Sequence, residues 1–532
     1  MALDIGRTAF EREVRRARVD GRPVPTVAIV GGGLSGLAAA IQLARSGVRS
    51  FTVLEQSGGV GGTWRDNVYP GAACDVPSHL YSFSFAPNTD WSRRFAEQPE
   101  ILSYAEDLVE RYHLGPHIRL GTTVAGARYD EGSRTWHLDL ETADGGEELV
   151  VDTVVLACGQ LNRPHVPDIA GLDTFAGPSW HSARWDHSVD VAGRDVAVIG
   201  SGASAIQFVP PLALQAASTT IFQRSPNYVG PKKDRAYRMG TRRLLQRIAP
   251  VRTAYRWWIY WSLEVRWLWF RRDSLAGRKL QQLFARGIRN DVVCDRLPEG
   301  AVVPDYPIGC KRILISNEWY PTLLRPDVTV IDTPVTRVEA DAVVTADGVR
   351  HRADVLVFGT GFATTDFLAH IPVTGTGGRL LGEAWDRGAH AYLGAAVAGF
   401  PNCYLLYGPN TNLGHNSILF MVERQLNLIL QALALQTRSL TGTSGAAVSV
   451  SDIAYDRDDR DTQSLMSRTA WSGSCTSWYK DAAGRITNNW PSWTVRYWWD
   501  TLRIRATDFE VTNPIPPRVE PLNRADAPEM PA

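Results

Sequence analysis

The feature that most constrains this chain is a pattern that occurs twice. A short apolar run is followed by a glycine-rich turn and then by helix-forming text. The first copy is Thr26-Val-Ala-Ile-Val30, then Gly31-x-Gly33-x-x-Gly36, then LAAAIQLARSG. The second is Val196-Ala-Val-Ile199, then Gly200-x-Gly202-Ala-Ser204-Ala205, then IQFV. A strand that ends in such a turn and opens a helix needs a parallel neighbour reached by a crossover. The pattern therefore predicts an α/β chain with two Rossmann-like dinucleotide-binding domains. At 532 residues the chain has room for both and for a helical insertion.

Expected boundaries follow from shifts in composition. Residues 1–23 form a charged arm, and 24–160 carry the first part of domain one. Residues 161–235, opened by the extended NRPHVP, begin domain two. Residues 236–300 are an Arg- and Trp-rich helical insert. Domain two resumes over 301–338 and domain one over 339–504. The Pro-rich tail covers 505–532.

The two turns differ in what stands at the end of the following strand. Glu55 lies 19 residues beyond Gly36, where a carboxylate accepts the hydroxyls of an adenine ribose. At the same 19-residue distance beyond Ala205 the second copy offers Arg224 and Ser225. A carboxylate there would repel a 2′-phosphate, whereas a guanidinium binds it. FAD is expected in the first site and NADP(H) in the second; the bland alternative for Arg224 is a solvated surface cation.

Composition removes other classes. Lys plus Arg and Asp plus Glu both number 56, so nothing favours nucleic acid or another polyanion. The six cysteines contain no CxxC pair and no zinc-spaced cluster, which argues against a redox dithiol and against a metal site. Isolated thiols and a charged first twenty residues without an apolar core fit a cytoplasmic protein without a signal peptide. No transmembrane segment is expected. The segment 255–272 holds five of the 18 tryptophans among charges, too few residues to span a bilayer. It either packs on domain two, the preferred reading because its aromatics point all round, or lies on a membrane surface.

Between the turns stands Phe175-x-Gly177-x-x-x-His181-x-x-x-Trp185-Asp186. A second long signature reads Gly62-Thr63-Trp64, Tyr69-Pro-Gly71 and Asp75; YPIGCKR (306–312), GTGF (359–362) and CTSWY (475–479) follow in order. On these motifs the chain resembles the Baeyer–Villiger monooxygenases, class B flavoproteins, over roughly 25–500. The resemblance implies an enzyme that uses NADPH and O₂ to convert ketones to esters or lactones through a C4a-peroxyflavin. It implies Arg312 as the active-site cation paired with Asp75, and Lys311 beside Arg224 at the 2′-phosphate. It puts Thr63, Trp64, Arg65, Asp66 and Tyr81 at the flavin, although Arg65-Asp66 departs from the usual aromatic pair. Trp478 would touch the nicotinamide ribose or only pack, and His181 would make a linker hydrogen bond rather than transfer a proton. The alternatives are an N- or S-oxygenating flavin monooxygenase and a flavin-binding scaffold without turnover. Neither the ketone nor the oligomeric state is legible.

Overall fold

The computed structural model describes residues 4–512 except 365, 366, 369, 441–444, 474–476, 478 and 482. Two five-stranded parallel sheets organise them. Numbered along the chain, β1 (Val27–Val30), β2 (Phe51–Leu54), β3 (Ile118–Arg119), β4 (Thr153–Leu156) and β10 (Cys403–Leu405) form the first. The second contains β5 (Ser179–His181), β6 (Asp195–Ile199), β7 (Ser218–Phe222), β8 (Val328–Ile331) and β9 (Val355–Phe358). Their spatial orders are β10-β4-β1-β2-β3 and β8-β7-β6-β9-β5. All four residues of β1, β4 and β9 are buried, as expected for parallel strands covered on both faces.

The helices used below are α1 (Ile5–Val19), α2 (Leu34–Arg45), α3 (Ala205–Ala213), α4 (Ala249–Glu264), α5 (Leu275–Asp291) and α6 (Ile418–Ser439). Helix α2 lies directly on the turn that starts it. A Cβ on Gly36 would sit 1.9 Å from the Gly31 carbonyl oxygen, so only glycine permits this approach. The charged arm is α1, which buries Phe10, Val14 and Ala17 and donates the Gly6 N–H to Asn427 of α6 at 2.8 Å. Helix α6 is long and apolar enough to cross a membrane, with mean hydropathy 1.4, yet 83% of that stretch is buried inside the protein.

Two expectations are corrected. Domain one was expected to resume at residue 339. Instead β9 pairs with β6 (Val355 beside Val196), so the second sheet keeps the chain to Phe358. The meander before it also serves that sheet, since Val338, Val343 and Ala353 share a core with Ala197 and Ile199. Nor does the Trp-rich insert pack on domain two as one piece. Ile259, Tyr260 and Leu263 of α4 bury against Leu80, Phe420 and Val495 of domain one. Only α5 turns the other way, where Ile288 joins Val196 and Leu314. Glu264 fastens α4 in place. Its carboxylate accepts from the Thr494 N–H at 2.6 Å, the Thr494 hydroxyl at 2.7 Å and the Asn416 amide at 2.8 Å.

One partly buried acid makes stability depend on pH. Burial, reinforced by the nearby charges of Asp459, Asp500 and Asp461, pushes the Asp458 carboxyl up to about 7; the Leu393 N–H donates to it at 3.1 Å. Its folded pKa lies above the unfolded value, so it favours the fold when protonated. That contribution is lost as pH rises between the ordinary value of 3.8 and about 7. Asp458→Asn should therefore match the wild type in acid and exceed its stability by ~1–2 kcal/mol above neutrality, read from denaturant melts on both sides of the window.

Candidate active site

A cavity of about 970 Å³ runs between the two glycine turns, at the carboxyl ends of both sheets where open α/β folds bind ligands. On the first side, Gly31 leaves β1 with φ +108° and Gly33 starts α2 without a side-chain cap. The first N–H groups of that helix are thus available to an anion. Glu55 is buried at the end of β2. It accepts from the N–H of Gly32 at 2.6 Å and of Ser57 at 2.8 Å, and its carboxylate oxygens have lone pairs left for ribose hydroxyls. A Cβ on Gly33 would lie 3.6 Å from the Gly62 Cα, so the two glycines let their backbones approach closely where both line the cavity. Thr63 and Trp64 begin the short helix after Gly62. The Trp64 indole N–H donates to the Tyr81 hydroxyl at 3.0 Å, and all three side chains line the cavity with Asp66. Arg65 instead folds over Gly59.

On the second side Gly200 has φ +104°, and its Cβ position is 2.4 Å from the Gly359 carbonyl oxygen. Gly202 is open: the nearest atom to its Cβ position is that same oxygen at 3.8 Å. Ser204 stands at the N-cap position of α3 without a side-chain capping hydrogen bond, and that N-terminus faces the cavity beside Arg224 and Ser225. The Lys311 ammonium donates to the Ser225 hydroxyl at 2.5 Å, and burial, with Arg224 adding repulsion, lowers its pKa. Neither Arg224 nor Lys311 makes a salt bridge among the described residues. Two close cations, neither held in a salt bridge, suit a phosphate.

Between the turns stands Arg312. Its Nε and Nη2 both donate to one oxygen of Asp75, at 3.1 and 2.5 Å. Asp75 raises the already high guanidinium pKa. Burial would raise that of Asp75, but the charge and hydrogen bonds of Arg312 win and hold it below the usual carboxylate range. The pair is a fixed cation and anion at any working pH, with the Nη1 edge not engaged by Asp75. Two further contacts stand beside it, one on residues the sequence did not single out and one on the signature residue Tyr69. Tyr407, at φ +59°, donates its hydroxyl to Asn412 at 2.8 Å, and Asn412 donates to Asn489 at 2.7 Å. Tyr69 binds Gln207 of α3 at 2.9 Å, while Gln207 donates to the Ala73 carbonyl at 3.0 Å, so the loop carrying Asp75 is docked on domain two. The Asn-rich run 408–417 was the available signal for the first; in the second, Tyr69 belongs to a signature but nothing local marked its partner Gln207.

The Phe175–Asp186 motif packs closely into the second domain. A Cβ on Gly177 would be 2.3 Å from the Asp354 carbonyl oxygen; Trp185 packs on Phe208 at 5.2 Å; Asp186 closes a turn by accepting from Ser188. Phe175 borders the core that holds Val338 and Leu356. His181 ends β5 with its Nδ1 accepting from Ala183 at 3.1 Å and its ring edge-on to Phe362 at 5.7 Å. Burial lowers its pKa, which favours a neutral ring. Phe362 belongs to one of two interdomain connections laid side by side. His165 N–H donates to Gly361 at 2.9 Å and Ala363 N–H to Arg163 at 3.0 Å. Trp478 lies outside the described residues. The expectation of isolated thiols is met at Cys74, Cys158, Cys294 and Cys403 and corrected at Cys310, which is disulfide-bonded.

Residues 25–248 match the pyridine nucleotide-disulphide oxidoreductase family, the stretch that holds both glycine turns. Over 495 residues the chain is 43% identical to a Baeyer-Villiger monooxygenase of Streptomyces coelicolor, covering 93% of this chain and 94% of that protein. The chain belongs to the Baeyer–Villiger monooxygenase family. A second such monooxygenase, from Pseudomonas aeruginosa, is 40% identical over 91% of each chain. A solved structure described as OTEMO in complex with FAD and NADP superposes with a TM-score of 0.82 at 26% identity, over 92% of this chain and all of that one. Within a Baeyer–Villiger monooxygenase the absence of a CxxC pair from this sequence is expected, because electrons are passed to oxygen rather than to a disulfide.

Proposed function

We propose that the chain is an FAD-containing, NADPH- and O₂-dependent monooxygenase that inserts one oxygen beside a ketone carbonyl, giving an ester or lactone, NADP⁺ and water. The observation that carries this reading is the Asp75-held Arg312 in one cavity with two unlike dinucleotide cradles. FAD would lie on Gly31, Gly33 and Gly36, with Glu55 at the ribose and Thr63, Trp64 and Tyr81 along it. NADP(H) would lie on Gly200, Gly202 and Ser204, with Arg224, Ser225 and Lys311 at the 2′-phosphate. When bound and reduced, the flavin supplies oxygen activation. Asp75 orients the guanidinium and leaves it charged. Arg312 stabilises negative charge as it develops on oxygen near the ketone carbon. Tyr407 and Asn412 line the same space and help to shape it. His181 sets the connection behind the second cradle without moving a proton. Such an enzyme draws on the NADPH of the cytoplasm, where we place it.

Purified enzyme supplied with NADPH, O₂ and a panel of linear, cyclic, aryl and steroid ketones should yield an ester or lactone from at least one. NADPH consumption with no oxygenated product across the panel would overturn the reading. Coenzyme choice supplies a narrower test. Arg224→Ala or Lys311→Ala should raise KM for NADPH by about ten- to a hundredfold, the loss of one charge-assisted phosphate contact at ~1.5–3 kcal/mol, with NADH little changed. Equal KM values for both coenzymes in the wild type would remove the phosphate assignment.

A further inference from the structure

We propose that the outer face of the helical insert docks on an anionic phospholipid surface. Helix α4 has two apolar faces. The inner one, Ile259, Tyr260 and Leu263, is already buried in domain one. The outer one runs through Val251, Trp258, Trp261 and Val265, at helical spacing along one stripe. These residues are 37%, 56%, 47% and 54% exposed; Leu244 of the preceding helix, Met239–Arg247, and Ile248 just after it are uncovered as well. A protein without a partner gains nothing by leaving two tryptophans on one face in water.

Charge identifies the partner. Residues 232–273 contain twelve Lys and Arg against Asp234, Glu264 and Asp273 as acids, in a chain whose total charges balance. Glu264 is buried in its hydrogen bonds, so it offsets nothing at the surface. Arg235, Arg238, Arg243 and Arg247 are exposed on one side of the stripe, and Arg271 and Arg272 beyond its other end. Tryptophans that seat at the headgroup level, flanked by arginines that pair with lipid phosphate, form an interfacial anchor. A second copy of the chain fits poorly. A two-fold contact through this stripe would bring the two sets of arginines together, and the exposed carboxylates beside them, Asp90 and Asp273, are too few to balance them. Docking would also set the bilayer one helix away from the cavity, because α4 packs on Val76, which lines it. Apolar ketones dissolved in lipid would then reach the protein from the membrane side. The surface stands on its own chemistry and does not depend on which oxidation the cavity performs.

The test is co-sedimentation of the full-length protein, as purified, with phosphatidylcholine vesicles and with vesicles containing about a third phosphatidylglycerol. The protein should pellet with the anionic vesicles roughly tenfold more strongly than with the neutral ones, and high salt should remove most of the difference. The double variant Trp258→Ser/Trp261→Ser should lose about tenfold in partitioning while keeping its circular dichroism. Arg243→Gln/Arg247→Gln should weaken binding and flatten its salt dependence. Ile453→Ser, which removes a side chain 79% exposed on the helix Asp452–Met466, should change nothing. Equal partitioning into both vesicles, or wild-type binding by the double Trp variant, would overturn the proposal. So would a dimer that ignores vesicles and is abolished by the Trp substitutions, since the face would then be a contact between copies.

Discussion

Arg312→Ala should retain FAD, accept electrons from NADPH and yet make almost no ester, with the electrons lost to hydrogen peroxide. The two half-reactions place separate demands on the site. Reduction needs the nicotinamide against the flavin, the task proposed for the two cradles; oxygen transfer needs a fixed cation, the role proposed for Arg312. Removing one preorganised charge from developing negative charge costs ~3–4 kcal/mol, or two to three orders of magnitude in rate. The variants of its environment should grade the defect. Arg312→Lys should rescue little, because Asp75 takes both Nε and Nη2 and an ammonium cannot hold that edge while presenting another. Asp75→Ala should be milder, since the charge stays but loses its anchor. The readout is ester formed per NADPH consumed on a ketone the wild type converts. Wild-type coupling in Arg312→Ala would move the chemistry to other residues of the cavity.

Blocking either glycine turn should separate the two coenzymes by eye. Gly33→Val would push a branched side chain against Gly62 and into the first cradle, and the protein should purify colourless. Gly202→Val would fill the open side of the second turn, leaving a yellow protein that NADPH no longer bleaches. Absorbance of the flavin before and after anaerobic NADPH addition distinguishes the pair. The opposite pattern would mean that the cradles are exchanged.

The parts legible in the sequence are those whose requirements are local. A turn that brings a Cβ within 1.9 Å of a carbonyl must be glycine, and a carboxylate or cation after the next strand states its ligand's charge. Arg312 and Asp75 are different. They stand 237 positions apart and meet only because α3 docks the loop that carries Asp75, so family resemblance rather than spacing pointed to them. The misplaced boundary at 339 has a similar cause. Val355–Phe358 reads as a buried parallel strand in either sheet, and only its pairing with β6 tells which. The insert misled for the opposite reason: with apolar side chains on both faces of α4, no stripe shows which domain it covers.

The paired connections at 163–165 and 361–363 bear on how the second domain can move. A single tether would leave it free to swing and to spin about its own attachment. Two chains hydrogen-bonded side by side behave as a strap, compliant to bending across its width and stiff to torsion. Of the rotations open to a tethered body, the strap leaves one soft. A nicotinamide carried by that domain would travel back and forth along a single arc, and would return to the flavin with the same face toward it.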